Sequence, residues 1–388
     1  MKNVNETIIR LIANEVCGGT LCLPLQPPFS DEFSFEIYNV SKEHSVAHIV
    51  GSALINNGLL ADTGIDGIFR DKIYGALFRY ENLAYVFEKV CGVLEKAKTP
   101  YIPLKGSVIR ELYPKPWLRT GCDIDIRVHE QDVDAAAEMI AGELGYEIKG
   151  RGNHDISILA TEGIYVELHF SLLEESRGKS LARVLGDVWN HASPCENGGF
   201  RYELDDAMFY FYHVAHMAKH FVDGGCGLRP FLDLWLMEHS KNYHTDETKR
   251  LLKKGGLADF AKAAVQLSEV WFSGKEHSET TRLMADFVMS GGCFGTPHTK
   301  MLSYQQRSGG RLKYVLSRIF VPYNDLKGQY PIIKKYRFLT PFCEICRLFS
   351  LLLGKKKKFR KNYLSKLKNV PEEHIDNVNL LFERVGLE

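Results

Sequence analysis

Neither sign of charge dominates this sequence: 49 Lys and Arg stand against 48 Asp and Glu in 388 residues. No global field therefore draws the chain to nucleic acid or an acidic membrane, and a long nucleic-acid substrate, which needs many basic contacts, is disfavoured. Long apolar runs are missing too. The longest, at 209–214 and 349–353, are too short or too interrupted to cross a bilayer. The start, MKNVNETIIRLIANEV, has neither the basic opening nor the apolar stretch of a signal peptide and reads as an amphipathic helix. Nine cysteines, at 17, 22, 91, 122, 195, 226, 293, 343 and 346, are scattered and odd in number, which suits reduced thiols rather than a disulfide framework. Repeats and low-complexity tracts are absent. What is left is an ordinary globular composition, 45% hydrophobic and 25% charged, expected to be cytoplasmic with no membrane partner.

Periodicity divides the chain into three stretches. Residues 1–20 and about 41–60 carry helical spacing on either side of a Pro-rich loop at 23–28. A long helix follows over 71–98, with Ile73, Leu77, Tyr80, Leu83, Val86, Phe87, Val90 and Leu94 as its apolar stripe, ended by Thr99-Pro100. Then come a strand at 101–104, a helix at 106–112, a strand at 123–128 and a helix at 131–144 closed by Gly145. Strands at 154–160 and 164–170 are joined by a Glu162-Gly163 turn, and a short strand lies near 200–204. Helical spacing resumes over 205–222, 229–241, 247–273 and 279–290. Beyond 300 there are amphipathic patches, a basic run at 355–361 that reads as a solvated loop ahead of a site for RNA or anionic lipid, and a last helix opening at Val370-Pro371. The expected division is a helical segment (1–98), an α/β core (99–204) and a helical C-terminal domain (205–388).

Chemistry concentrates in residues 101–128, YIPLKGSVIRELYPKPWLRTGCDIDIRV. Side chains alternate along a strand, so Asp123 and Asp125 share one face while Ile124, Ile126 and Val128 face a core. Two carboxylates this close repel unless a cation or proton lies between them, and a divalent metal is the usual answer. Gly106-Ser107 opens a helix upstream, where free backbone N–H groups suit phosphate. A third carboxylate, Glu167, shares its strand face with Tyr165 and His169. If that strand neighbours the first, three carboxylates converge on one or two Mg²⁺ ions, with Mn²⁺ as an alternative.

The order Leu104-Lys105-Gly106, Leu118-Arg119, the Asp123/Asp125 pair and Glu167-Leu168-His169 resembles the bacterial uncharacterised nucleotidyltransferase family, within the superfamily that includes DNA polymerase beta. His213, His216 and His220, then Leu228-Arg229 through Asp233, extend the resemblance over roughly residues 40–270. It implies an α+β fold, a small mixed sheet flanked by helices, with a helical domain closing over the cleft. It also implies metal ligation by Asp123, Asp125 and Glu167, with nucleotide phosphates meeting Gly106 and Ser107. The implied reaction moves a nucleoside monophosphate from a nucleoside triphosphate to an unidentified acceptor and releases pyrophosphate. A non-catalytic nucleotide-binding protein and a small-molecule phosphotransferase are the alternatives, the latter without the H-x-D…N loop it would normally carry.

Several residues admit two readings. Lys105 touches a phosphate or pairs with a carboxylate, and Arg119 binds the triphosphate or clamps Asp123. Glu167 serves the metal or pairs with Arg119 or Arg127. His169 lines the nucleotide pocket or packs as a hydrogen-bonded core histidine. The three histidines at 213, 216 and 220 share a helix face that abuts the cleft or packs among helices, with no H-E-x-x-H spacing to favour zinc. Arg229 and Asp233, one turn apart, most simply pair with each other. Asp155 is an ordinary strand-end residue, and Cys343 and Cys346 are two reduced thiols on a helix.

Overall fold

The computed structural model describes residues 2–25, 27, 29–60, 64–172, 179–196, 199–307, 323, 326, 330, 332–353 and 372–387. The basic run at 355–361 and Val370-Pro371 lie outside them.

Three helices open the chain: α1 (Lys2–Cys17), α2 (Asp31–Glu43) and α3 (Ala47–Asn56). The second falls outside the sequence expectation. A cap and a short apolar stripe set it: the Ser30 side chain accepts from the Phe33 N–H, Asp31 and Glu32 occupy the first turn, and Ile37 is buried with Phe33 and Val40 packed beside it on the core. The long α4 (Gly64–Lys96) begins before the expected position 71.

A five-stranded sheet follows, built from β1 (Tyr101–Pro103), β2 (Asp123–Val128), β3 (Glu147–Arg151), β4 (Asp155–Leu159) and β5 (Tyr165–His169) in the order β1-β2-β5-β4-β3. The pair β2–β5 is parallel and the other three pairs are antiparallel. Between β1 and β2 the short α5 (Gly106–Ile109) runs into a single 3₁₀ turn at Arg110–Leu112. Between β2 and the β3–β4 hairpin lies α6 (Val133–Leu144), ended by Gly145 at φ 68° as a left-handed cap. The edge strand β3 escaped sequence reading because all five of its residues are exposed, so no alternation marks it. One sheet face is apolar: Ile124, Ile126, Val128, Ile156, Ile158, Val166 and Leu168 pack on Leu83, Val86, Val90 and Leu94 of α4 and on Ala136 and Ile140 of α6. The opposite face carries the polar residues.

The chain then forms α7 (Lys179–Gly186), a two-stranded ribbon of β6 (Ala192–Pro194) and β7 (Tyr202–Leu204), and the helices α8 (Asp206–Val222) and α9 (Arg229–Ser240). The expected helix at 247–273 is two helices, α10 (Asp246–Gly255) and α11 (Ala258–Ser273), because Gly256 at φ 72° caps the first in the left-handed region. Next come α12 (Glu279–Gly291) and α13 (Pro297–Arg307), with a later helix at Glu372–Arg384. Both ends of the chain share one apolar core, in which Ile8, Leu11, Ile49 and Phe69 cluster with Phe221, Phe231, Phe260 and Phe382. The mixed helix-and-sheet architecture agrees with expectation. No helix among the described residues is long and apolar enough to cross a membrane.

Candidate active site

Strand register brings the acidic residues together. Asp125 on β2 lies opposite Glu167 on β5, and Arg127 opposite His169. Alternation puts Ile124 and Ile126 in the core, so Asp125 and Glu167 stand side by side on the polar face. The His169 Nε2 lies 2.7 Å from Asp125 Oδ1 and 3.5 Å from Glu167 Oε2. Asp125, Glu167 and His169 can each offer one ligand atom with all three atoms within 4.8 Å of one another. This set differs from the expected Asp123, Asp125 and Glu167: His169 joins it, while Asp123 lines an adjoining cavity together with Asp125. Of the two readings of His169, the hydrogen-bonded, buried one describes its position. Glu167 pairs with neither Arg119 nor Arg127, the latter donating to the carbonyls of Val128 and His169.

Electrostatics at these carboxylates is uneven. Burial alone would raise Asp125, but the Lys105 ammonium, 2.7 Å from Oδ1, and His169 outweigh it and hold the carboxyl well below the usual range. Asp123 and Glu167 move the other way, raised by burial and by the negative charge of Asp125. The cluster is thus short of positive charge when all three are ionised, which is the condition a divalent cation relieves. Lys105 itself sits at φ 46°, a left-handed conformation that costs a non-glycine residue about 1–3 kcal/mol. Burial works against its charge, yet Tyr212 and Asp125 beside it raise its proton affinity above the ordinary lysine range.

The loop from β1 to β2 is held by three guanidinium groups. Arg79 of α4 donates from Nε to the Gly121 carbonyl at 2.7 Å and from Nη2 to the Cys122 carbonyl at 2.8 Å. Arg229 donates from Nη1 to the Thr120 carbonyl at 2.9 Å. Arg119 lines the cleft but does not clamp Asp123; its Nε and Nη2 fork onto Asp233, and its Nη1 bonds the Thr120 carbonyl. Asp233 also accepts from the Tyr113 hydroxyl at 2.7 Å. The expected Arg229–Asp233 pair therefore gives way to Arg119–Asp233, because the carboxylate is buried where a guanidinium from the sheet side can fork it. Gly106 leaves room for this fork: a Cβ on it would lie 3.3 Å from Arg119 Nη1 and push the guanidinium by a few tenths of an ångström.

A cavity of about 180 Å³ joins these parts, lined by Lys105, Gly106, Asp123, Asp125, Arg119 and Arg229 with Tyr212, His213, His216 and His220 of α8. The histidine face thus abuts the cleft, the first of its two readings. His216 and His220 meet at 3.1 Å between their Nε2 atoms, and burial lowers the pKa of all three so that neutral imidazoles face the cavity. Ser107 does not share it. That residue lines a separate cavity of about 310 Å³ with Glu111, Arg201 and Lys241, and its amide already donates to the Leu104 carbonyl. With α5 only four residues long, the expected Gly-Ser phosphate cradle reduces to Gly106. Asp155 stands at the start of β4, as expected of a strand-end residue.

Residues 35–273 match the family model described as uncharacterised nucleotidyltransferase. No curated protein matches the chain. Among solved structures, the solution structure of the antibiotic-resistance factor ANT(2'')-Ia is 8% identical and aligns over 50% of this chain and 91% of its own, with a TM-score of 0.27, a likeness too slight to argue from.

Proposed function

Because the chain belongs to the uncharacterised nucleotidyltransferase family, we propose that it transfers a nucleoside monophosphate from a nucleoside triphosphate to an acceptor hydroxyl, releasing pyrophosphate, with Mg²⁺ as cofactor. The observation that carries this reading is the parallel register of β2 and β5, which sets Asp125 beside Glu167 with Asp123 two residues away on the same face. Asp125, Glu167 and Asp123 hold the metal, with His169 orienting Asp125. Bound there, Mg²⁺ or Mn²⁺ neutralises the carboxylates and the charge developing on the leaving pyrophosphate. Lys105 and Gly106 meet the phosphates. Glu167, its proton affinity raised, is placed to take the acceptor proton. The guanidinium-bound loop 119–122 keeps Asp123 aimed at the substrate.

At about 180 Å³ the cavity is smaller than the roughly 300–1,000 Å³ of small-molecule sites, so a whole nucleotide enters only as α8 and the sheet part. The superfamily placement with DNA polymerase beta rests on the same acidic pattern and belongs to the proposal. The acceptor is a small molecule, a sugar or a protein side chain.

Asp123→Asn and Asp125→Asn variants test the assignment. Each is expected to lower turnover of Mg²⁺-NTP by about 10³-fold or more. Unchanged binding and turnover in both would remove the metal site from the account. A regulatory protein of the same fold binds nucleotide and yields no pyrophosphate, whereas a phosphotransferase yields a product carrying phosphate alone.

A further inference from the structure

We infer that the segment spanning residues 332–347 docks on the surface of an anionic lipid bilayer, as a peripheral contact. The helix Thr340–Leu353 buries Cys343 against Leu326 and Ile333 yet leaves large apolar side chains outside. Glu344 and Arg347 pair at 2.6 Å with side chains only 15% and 8% exposed, while Phe342 and Ile345 stand 64% and 51% exposed. Just upstream, Phe338 is 77% exposed, Ile332 52% and Tyr336 43%. A surface helix in water does the reverse, turning ion pairs outward and its apolar stripe inward. Isolated exposed apolar residues are ordinary, but a cluster of large ones marks a contact surface.

Charge names the occupant. Between residues 327 and 368 there are 13 Lys and Arg and one acid, Glu344, in a chain whose overall balance is +1. Of these, Lys335 and Arg337 stand next to the exposed rings, over Tyr336 and Tyr323. The run KKKKFRK at 355–361 follows the helix in sequence and enters only as charge, since it lies outside the described residues. Aromatic and aliphatic side chains with Lys335 and Arg337 among them, in a stretch of sequence this basic, fit the headgroup region of an anionic leaflet. RNA would answer the cations and stack on Phe338 and Phe342, but it gains nothing from the aliphatic Ile332 and Ile345. A second copy of the chain would set positive charge against positive charge. At 14 residues the helix is too short to span, so the contact is interfacial.

Co-sedimentation of the full chain with vesicles tests this, using phosphatidylcholine alone and phosphatidylcholine with phosphatidylglycerol. Pelleting with the anionic vesicles only is expected, weakening as salt is raised. The triple variant Phe338→Ser/Phe342→Ser/Ile345→Ser is expected to bind about tenfold or more weakly with its unfolding temperature unchanged. A second variant, with Lys355, Lys356, Lys357 and Lys358 all changed to Gln, removes charge without touching the described helix and is expected to lose about as much. Equal pelleting with both vesicles, or with neither, overturns the inference. So does binding of an RNA oligonucleotide, or self-association through the patch, when vesicles are ignored.

Discussion

Arg119 and Asp233, 114 positions apart in sequence, close on each other as a buried forked ion pair, with Nε–Oδ1 and Nη2–Oδ2 both at 2.9 Å. The contact joins the loop that delivers Asp123 to the helix α9 that walls the cleft. Removing one partner leaves a buried charge uncompensated. Asp233→Leu and Arg119→Met are each expected to destabilise the fold by about 3–5 kcal/mol, measured by denaturant unfolding, while the double variant Arg119→Met/Asp233→Leu loses less than the sum. Additive losses would mean the two groups act independently.

Lys105 is the strained residue of the site and the cation that Asp125 faces. Its replacement by Met is expected to lower pyrophosphate release by about 10²-fold or more, since no other ammonium stands within 4.0 Å of Asp125 among the described residues. A variant as active as the parent would assign the strain to packing alone.

Acid should weaken the fold through two buried histidines away from the carboxylates. Burial lowers His44 and His48 to about 4, against 6.5 for the ordinary side chain. Above about pH 6.5 the imidazoles are neutral whether the chain is folded or unfolded, and their full contribution is present. As pH falls toward 4 the unfolded chain binds protons that the folded chain refuses, so stability falls by about 1.4 kcal/mol per pH unit for each group. Unfolding midpoints between about pH 7.5 and pH 5 check this, and His48→Gln should reduce the slope.

Much of this was legible in sequence because strand alternation and helix periodicity are local rules. Asp123, Asp125 and Glu167 announced themselves as acidic residues at polar positions of apolar strands, and β2 lies where the pattern put it. What failed to show were relationships set by tertiary contact. Arg119 could be read as a phosphate ligand until its long-range partner on α9 was seen. The period of two placed His169 on the face of Glu167 beside the pocket, but its bond to Asp125 depends on the β2–β5 register, which a single strand does not reveal. Strand β3 lacks apolar periodicity because an exposed edge defines it, and helix α2 carries its spacing in only three residues, Phe33, Ile37 and Val40. The run at 355–361 stands out in the sequence itself, but the net charge gives no sign of the wider basic stretch after residue 327, since a sum is blind to segregation.

Metal affinity separates the roles of the acidic residues. Mn²⁺ titration followed by electron paramagnetic resonance should show Asp125→Asn weakening the metal most, because Asp125 belongs both to the set with Glu167 and His169 and to the cavity with Asp123. Glu167→Gln should weaken it less, and His169→Gln by about 10- to 100-fold if the imidazole orients Asp125. Equal affinity in all three variants would place the metal elsewhere.

The central claim is that this cleft moves a whole nucleotide. Incubating the protein with each nucleoside triphosphate, Mg²⁺ and a pool of small-molecule acceptors, then weighing every modified species including the protein itself, tests it most directly. The account predicts a mass gain of one nucleoside monophosphate matched by released pyrophosphate, and neither with Asp125→Asn. Transfer of a bare phosphate, or the same product from Asp125→Asn at the parent rate, would contradict it.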